Sequence, residues 1–337
     1  MPNALMRARF TRRRLLAGAS ALAVLPFDAA RAQSGTPTAG ATPGAGWTFT
    51  DDRGITLELP TVPRRIVAQT TAAAALWDLG VRPVGIFGPS RGRDGAPDFQ
   101  AGNIDLDAVE VLGDFGEMDL EKLISLDADL YVDLTFGGQL WYLGDTEEQV
   151  RRIVPTLGIS MEKISILTAI QHFEALAASL GANLDAPEIV EAKRRFTEAE
   201  AALREAIAAK PDLSVLVVSP SVDNVYVASP RWMVDLYYFH DLGLNIVDHS
   251  TENDDFFALI SWEQIGQYPA DLILVDARIT QEDLDKLGSV ALWNALPAVQ
   301  AGQVGKWYAA APYSYDRLVP IMQELTELIA NARTDLV

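Results

Sequence analysis

Two similar α/β lobes, each on a sheet of parallel type and joined by one long α-helix, are predicted for this 337-residue chain by three observations. The first is a passage that occurs twice, 142 positions apart and without a gap. Asp119-Leu120-Glu121-Lys122-Leu123, running on to Ala128-Asp129-Leu130-Tyr131-Val132, is answered by Ser261-Trp262-Glu263-Gln264-Ile265 and Ala270-Asp271-Leu272-Ile273-Leu274. In each copy an N-cap residue opens a short helix, Glu stands two places inside it, and an Ala-Asp-Leu turn feeds an apolar strand. The second is an alternation of apolar strands and helices that begins after Pro63; strands buried on both faces and joined by helices pair in parallel. The third is an amphipathic stretch of about 25 residues in the middle of the chain, spanning roughly 37 Å as a helix.

The elements follow in order. Residues 1–32 read as a targeting segment: a twin-arginine pattern (Thr11-Arg12-Arg13-Arg14-Leu15-Leu16), an apolar run from Leu15 to Phe27, and a small-x-small cleavage site at Ala30-Arg31-Ala32. The run holds about 13 apolar residues against the roughly 20 a membrane span needs, so cleavage before Gln33 is expected. Residues 33–62 combine a flexible lead-in with a hairpin, Trp47 to Leu59 around Asp52-Arg53-Gly54. The first lobe, 63–184, carries strands Ile66–Ala68, Val84–Phe87 and Leu130–Leu134. Its helices are expected at Thr71–Leu79, Leu120–Leu126, Thr146–Thr156 and Thr168–Leu180, with a short strand between the last two. A capping box at Asp185, with Pro187 and Glu188, opens the connecting helix, which runs to Lys210 before Pro211. Its apolar stripe is Ile189, Ala192, Phe196, Ala199, Leu203 and Ala206. The second lobe, 211–337, has strands Val215–Val218, Val225–Val227, Ile246–Val247, Leu272–Val275 and Val304–Tyr308. Helices are expected at Arg231–Leu242, Trp262–Tyr268, Gln281–Leu287 and from Asp316 to about Ala332.

Composition narrows the functions available. The formal charge is −19, and the targeting segment holds six Arg and one Asp, so its removal leaves −24. Such acidity argues against nucleic acid and anionic membranes as partners. The absence of Cys excludes disulfides, thiolate metal sites, Cys nucleophiles and a lipid-modified N-terminal Cys. A soluble, monomeric periplasmic or extracytoplasmic protein, not a lipoprotein, is the expectation.

The chain resembles the iron-siderophore/cobalamin class of ABC-transporter substrate-binding proteins, two Rossmann-like lobes joined by a long helix. The resemblance runs from about Pro63 to Ala332 and rests on Pro63-Arg64-Arg65-Ile66-Val67, Leu79-Gly80-Val81-Arg82-Pro83-Val84-Gly85, Asp119-Leu120-Glu121 through Asp129-Leu130, Phe173-Glu174-Ala175-Leu176-Ala177 with Leu180-Gly181, and Leu292-Trp293 through Leu296-Pro297-Ala298-Val299-Gln300-Ala301-Gly302-Gln303-Val304. It implies that one Glu on each lobe docks on Arg residues of an ABC permease, and Glu121 and Glu263 stand at those positions. Glu in a helix's first turn also favours the macrodipole without any partner. The resemblance further implies a ligand held between the lobes, no catalysis, no cofactor, and lobe closure of only a few degrees on a stiff strut.

The candidate ligand contacts are Thr70 (beside Gln69 and Thr71), Arg91 and Arg93 (with Ser90), Trp141 and Tyr142 (with Phe136), Tyr226, Arg231 with Trp232, and Tyr313 (with Tyr315). Arginine among aromatics suits an anionic chelate, since guanidinium pairs with carboxylate or catecholate oxygens and rings pack an organic scaffold. A ferric siderophore leads, with haem and cobalamin left open. Two other classes have footholds. Gly88-Pro89-Ser90-Arg91-Gly92 matches a serine-hydrolase nucleophile elbow, but loop residues follow where a helix is needed. A zinc or manganese carrier would have to use some of His172, His240 and His249.

Overall fold

The computed structural model describes residues 46–249 and 256–337; the expected export segment and most of the lead-in lie outside the described residues. Strands β1 (Trp47–Thr50) and β2 (Thr56–Leu59) form the expected antiparallel hairpin. Gly54 closes its turn at φ +75°, a left-handed conformation that carries no Cβ penalty in glycine.

The first sheet is built from β3 (Ile66–Gln69), α1 (Thr70–Asp78), β4 (Gly85–Phe87), β5 (Glu110–Val111), α2 (Leu120–Ser125), β6 (Leu130–Phe136), β7 (Gln139–Leu140), α3 (Glu147–Ile153), β8 (Thr156–Ser160) and α4 (Ile166–Ser179). Its order is β5-β4-β3-β6-β7, with β8 also on β6; every pairing is parallel except β6 with β7. Helix α3 is shorter than the expected 146–156. Val154 precedes Pro155 and is forced extended (φ −143°, ψ 143°), which ends the helix and delivers Thr156 to β8.

Strand β8 would leave an open sheet edge, and the hairpin turn closes it. The Gly158 N–H donates to Asp51 Oδ2 (3.0 Å) and the Ser160 N–H to Asp52 Oδ2 (2.6 Å). In return the Asp52 N–H and Arg53 Nη2 donate to the Gly158 and Thr156 carbonyls. Unpaired strand groups are thus matched by the side chains and main chain of the turn rather than left as a template for another chain.

The strut α5 (Pro187–Ala208, 22 residues) is about 33 Å long. The expected capping box does not form. Ala186 occupies the N-cap without a side-chain bond, and the Asp185 N–H instead donates to Asn183 Oδ1 (3.2 Å). The apolar stripe is buried as expected through Leu203; at its end Ile207 is buried and Ala206 only half-buried.

The second sheet uses β9 (Ser214–Pro220), β10 (Val225–Ala228), α6 (Val234–Asp241), β11 (Asn245–Ile246), β12 (Phe257–Ile260), β13 (Leu272–Asp276), α7 (Gln281–Leu287), α8 (Ala291–Asn294), α9 (Pro297–Gln300), β14 (Val304–Trp307) and α10 (Tyr315–Asn331). Its order is β12-β10-β9-β13-β14 with β11 also on β9. Here β10 runs antiparallel to both its neighbours, β9 and β12; the short turn after Pro220 cannot supply the crossover that a parallel β9–β10 pair requires. Helix α6 starts at Val234, leaving Arg231 and Trp232 in the preceding turn.

The repeat is visible in both lobes. Asp129 accepts the N–H groups of Arg64 and Arg65, and Asp271 accepts the N–H and Oγ of Ser214. Each Asp therefore ties the start of its strand to the neighbouring central strand. The copies differ in the helix itself, α2 against a 3₁₀ turn at Trp262–Gln267. Gly266 and Pro269 stand where the first copy has Ile124 and Asp127, and both are poor helix residues.

Helix α10 returns along the strut and fastens the first lobe. Ser314 Oγ donates to Asp78, Asn103 Nδ2 donates to Asp316 Oδ2 (2.9 Å), and the Tyr315 hydroxyl donates to Glu174 Oε2 (3.1 Å). Arg195 of the strut pairs with Asp316. One continuous apolar core runs from Ile66 and Phe173 through Phe196 and Leu203 to Leu236 and Leu325.

Candidate ligand cleft and docking surface

Where the lobes face each other, aromatic rings meet across the gap. Phe136 ends β6 and Trp141 follows β7; both belong to the first lobe. Phe136 lies 5.7 Å from Trp232 and 4.5 Å from Phe256 of the second lobe, and Trp141 lies 5.6 Å from Phe256. Edge-to-face and tilted geometries at these distances are the favourable ones for aromatic pairs. Beside them Tyr142 stacks on Phe115 at 4.5 Å, and burial pushes its hydroxyl pKa up to about 12. Lys163, in the loop after β8, rests its ammonium 4.4 Å from the Trp232 ring centroid.

Three arginines of this region are held by carboxylates. Arg91 is exposed and pairs with Asp107 (3.2 Å), and Arg231 Nε donates to Asp248 Oδ2 (2.6 Å). Arg278 makes a two-pronged pair with the buried Asp276 (Nε to Oδ1 2.9 Å, Nη2 to Oδ2 2.6 Å) and lies close enough to Tyr142 to interact with it electrostatically. Arg93 is exposed and faces the second lobe. Lys286 and Thr280 hold the Asp283 carboxyl below its usual range by hydrogen bonding, and Arg93 adds its charge to that effect. Such pairing moderates the positive field of Arg91, Arg231 and Arg278.

The other expected contacts are not among the rings that meet across the gap. Thr70 is fully buried, and its hydroxyl donates to the Phe87 carbonyl (3.1 Å), bracing α1 against β4. Tyr226 packs edge-on to Phe257, which packs in turn on Trp307, all within the second lobe. Tyr313 is buried against Phe173, and burial pushes its hydroxyl well above the normal range, with Tyr142 and Asp235 adding to the effect. Ser90 is followed by a loop closed by an Arg91–Pro97 bridge, not by a helix. His172 pairs with Asp52 of the hairpin at 2.8 Å, His240 is exposed and His249 is buried. Among the described residues no three His, Asp or Glu side chains converge.

Sequence reasoning missed Lys163, Phe256, Phe115 and Arg278. The signal available for Arg278 was its place directly after the strand of the second repeat. For Lys163 and Phe256 no local pattern existed.

A cavity of about 280 Å³ opens beside the strut, lined among others by Trp77, Asp78, Arg82, Glu188 and Arg195. Several of its polar groups satisfy one another in the α10 seam: Asp78 accepts from Ser314 and Asn103, and Asp316 accepts from Asn103 and pairs with Arg195. Glu121 and Glu263 are both exposed in the first turns of the repeated helices. Asp119 caps its helix by accepting the Lys122 N–H (2.9 Å), while in the second copy the Ser261 N–H donates to Gln264 Oε1 (3.1 Å). A hydrogen bond from Ser261 lowers the Glu263 pKa, keeping that carboxylate charged.

Two α/β lobes fastened to one long helix, with rings meeting between them, make up the fold of substrate-binding proteins of the type that serves ABC importers. The model of the periplasmic binding protein family matches residues 66–311, and the chain belongs to that family. It is 39% identical to DesE, a ferric-siderophore receptor protein from Streptomyces coelicolor, whose crystal structure it matches with a TM-score of 0.80 over 86% of this chain and 99% of that one. Staphylococcus aureus SirA complexed with staphyloferrin B shares the fold at 20% identity and TM-score 0.61, covering 86% of this chain and 99% of that one. The Fe(3+)-citrate-binding protein YfmC of Bacillus subtilis is 24% identical over 255 residues, 75% of this chain and 76% of its own. The resemblance read from the sequence is borne out, and the family is one of binding proteins, not enzymes. No helix among the described residues is long and apolar enough to cross a membrane.

Proposed function

We propose that this protein captures a ferric-siderophore-type iron complex between its lobes and delivers it to an ABC permease. The observation that carries the reading is the aromatic junction of Phe136 and Trp141 with Trp232 and Phe256, where an organic chelate would find apolar walls from both lobes at once. The paired cations around it supply hydrogen-bond donors for chelate oxygens without a strongly positive field. The relatives named for ferric siderophore and ferric citrate support the same class of cargo. Haem or cobalamin in the same junction is the second reading, favoured by the number of rings.

Delivery is assigned to Glu121 and Glu263, two separated carboxylates at equivalent places on the lobes, which would fix both lobes over the translocation path and steer the encounter. The lobes divide at 63–184 and 211–337 about the connecting segment 185–210, with twin-arginine export and cleavage after residue 32 placing a monomer outside the cytoplasm. The test is a tryptophan-fluorescence titration of the purified protein with ferric citrate, ferrioxamine B, ferric enterobactin, haem and cobalamin. Saturable quenching by one ferric chelate, weakened by Phe136→Ala, supports the reading. Quenching by haem or cobalamin alone moves the cargo to the second reading, and silence throughout overturns both.

A further inference from the structure

Lys163 is singled out by three features that share no common cause. It is not glycine, yet its backbone takes φ +54°, a left-handed conformation that non-glycine residues rarely adopt and that concentrates at functional sites. Its loop is secured to the ring-bearing hairpin, since Glu162 Oε2 accepts the Gly137 N–H (3.0 Å) one residue beyond Phe136. From there its ammonium crosses to the other lobe and lies over the Trp232 ring, a cation–π contact. The neighbouring guanidiniums of Arg231 and Arg278 each hold a carboxylate of their own lobe. Lys163 makes no ion pair among the described residues, and its ammonium is held there by the Trp232 ring. Withdrawing Arg231, by contrast, would leave Asp248 unpaired in a half-buried position.

We propose that Lys163 and Trp232 form a ligand-operated clasp: the ammonium closes the lobes by sitting on the indole, and an arriving chelate takes it onto its oxygens and frees the ring to pack the ligand. This rests on the reading that a ferric chelate binds at the junction. The chemistry shared by carboxylate, catecholate and hydroxamate chelates is an oxygen-rich face, and an ammonium with three rotatable donors suits any of them.

The clasp is tested first without ligand. Lys163→Met keeps an apolar stem on an exposed side chain, so it should fold. Its tryptophan emission should differ from wild type, and the difference should vanish when Trp232→Phe is present in both backgrounds. Identical emission, or a difference that survives Trp232→Phe, overturns the clasp. The hand-over is tested by titrating ferric citrate, ferrioxamine B and ferric enterobactin. Lys163→Met should weaken the chelate that wild type binds by at least about tenfold, while Lys163→Arg stays within about threefold. Equal affinity in Lys163→Met overturns the hand-over. If wild type binds none of the three, the hand-over falls together with the proposed cargo, whereas the ligand-free emission still decides the clasp.

Discussion

Replacing Asp51 by Ala should destabilise the protein by about 3–5 kcal/mol, the usual consequence of stranding one member of a buried ion pair. The Asp51 side chain is 0% exposed and that of Arg53 is 3% exposed, and Arg53 Nε donates to Asp51 Oδ2 at 2.7 Å. The same carboxylate accepts the N–H groups of Arg53 (2.9 Å), Ile55 (3.1 Å) and Gly158 (3.0 Å). The first two belong to the turn and can turn to water. The Gly158 amide is buried, and leaving it unpaired alone costs about 1–3 kcal/mol. Glu147, 3.7 Å from Arg53 Nη1, compensates only part of the lost charge. Urea denaturation of Asp51→Ala, Arg53→Met and the double variant measures the coupling. The double variant should be less destabilised than Asp51→Ala, because no guanidinium is stranded in it. A loss under about 1 kcal/mol for Asp51→Ala, or a double variant that simply sums the singles, would refute the account.

Three further outcomes are expected. Glu121→Ala with Glu263→Ala should abolish chelate uptake by cells while leaving the affinity of the purified protein within about twofold, since neither side chain touches the ring junction; a changed affinity would refute the division of labour. The hydrogen bond to Asp52, outweighing burial, raises the His172 pKa, so its contribution is complete below the unfolded value near 6.5 and is lost as pH rises through the folded value. Thermal midpoints should therefore fall between mildly acidic and mildly alkaline pH more in wild type than in His172→Gln, and equal slopes would contradict this. Asp235 is raised to about 6 by burial, although Trp307 Nε1 donates to it, so its ionisation destabilises the fold as pH climbs from about 4 through 6. Asp235→Asn retains an acceptor for Trp307 and should gain up to about 3 kcal/mol over wild type at pH 8 and much less at pH 4, read by urea midpoints.

The architecture was legible because it is written in repeated and periodic features. The strut's stripe from Ile189 to Leu203 and the paired Asp129 and Asp271 recur at fixed spacings that a single chain displays without alignment. Boundaries were less legible where two local signals competed. Asp185 and Glu188 looked like a capping box, but Pro187 set the first turn one residue later, and Val154 obeyed Pro155 rather than the helical pattern around it. Of the candidate site, the aromatic loops were legible and the state of the charges was not. Whether an arginine is free or held depends on carboxylates such as Asp248, 17 residues from Arg231, and only the fold brings the two together. Lys163 carried no signal at all, since a left-handed φ at lysine is imposed by its surroundings.

The return of α10 to Asp78, Asn103 and Glu174 has a consequence for how the molecule comes into being. These bonds join positions more than 140 residues apart, so the partners on α10 are made long after those of the first lobe. While the chain is still emerging, the first lobe has its own sheet but lacks the helix that covers the strut and completes the shared core. Residues near 315 must clear the ribosome before that core can close, so the first lobe cannot complete it when it emerges. Anything that delays or removes the C-terminal turn, a stop codon near Ser314 for example, should leave both lobes unfinished rather than one.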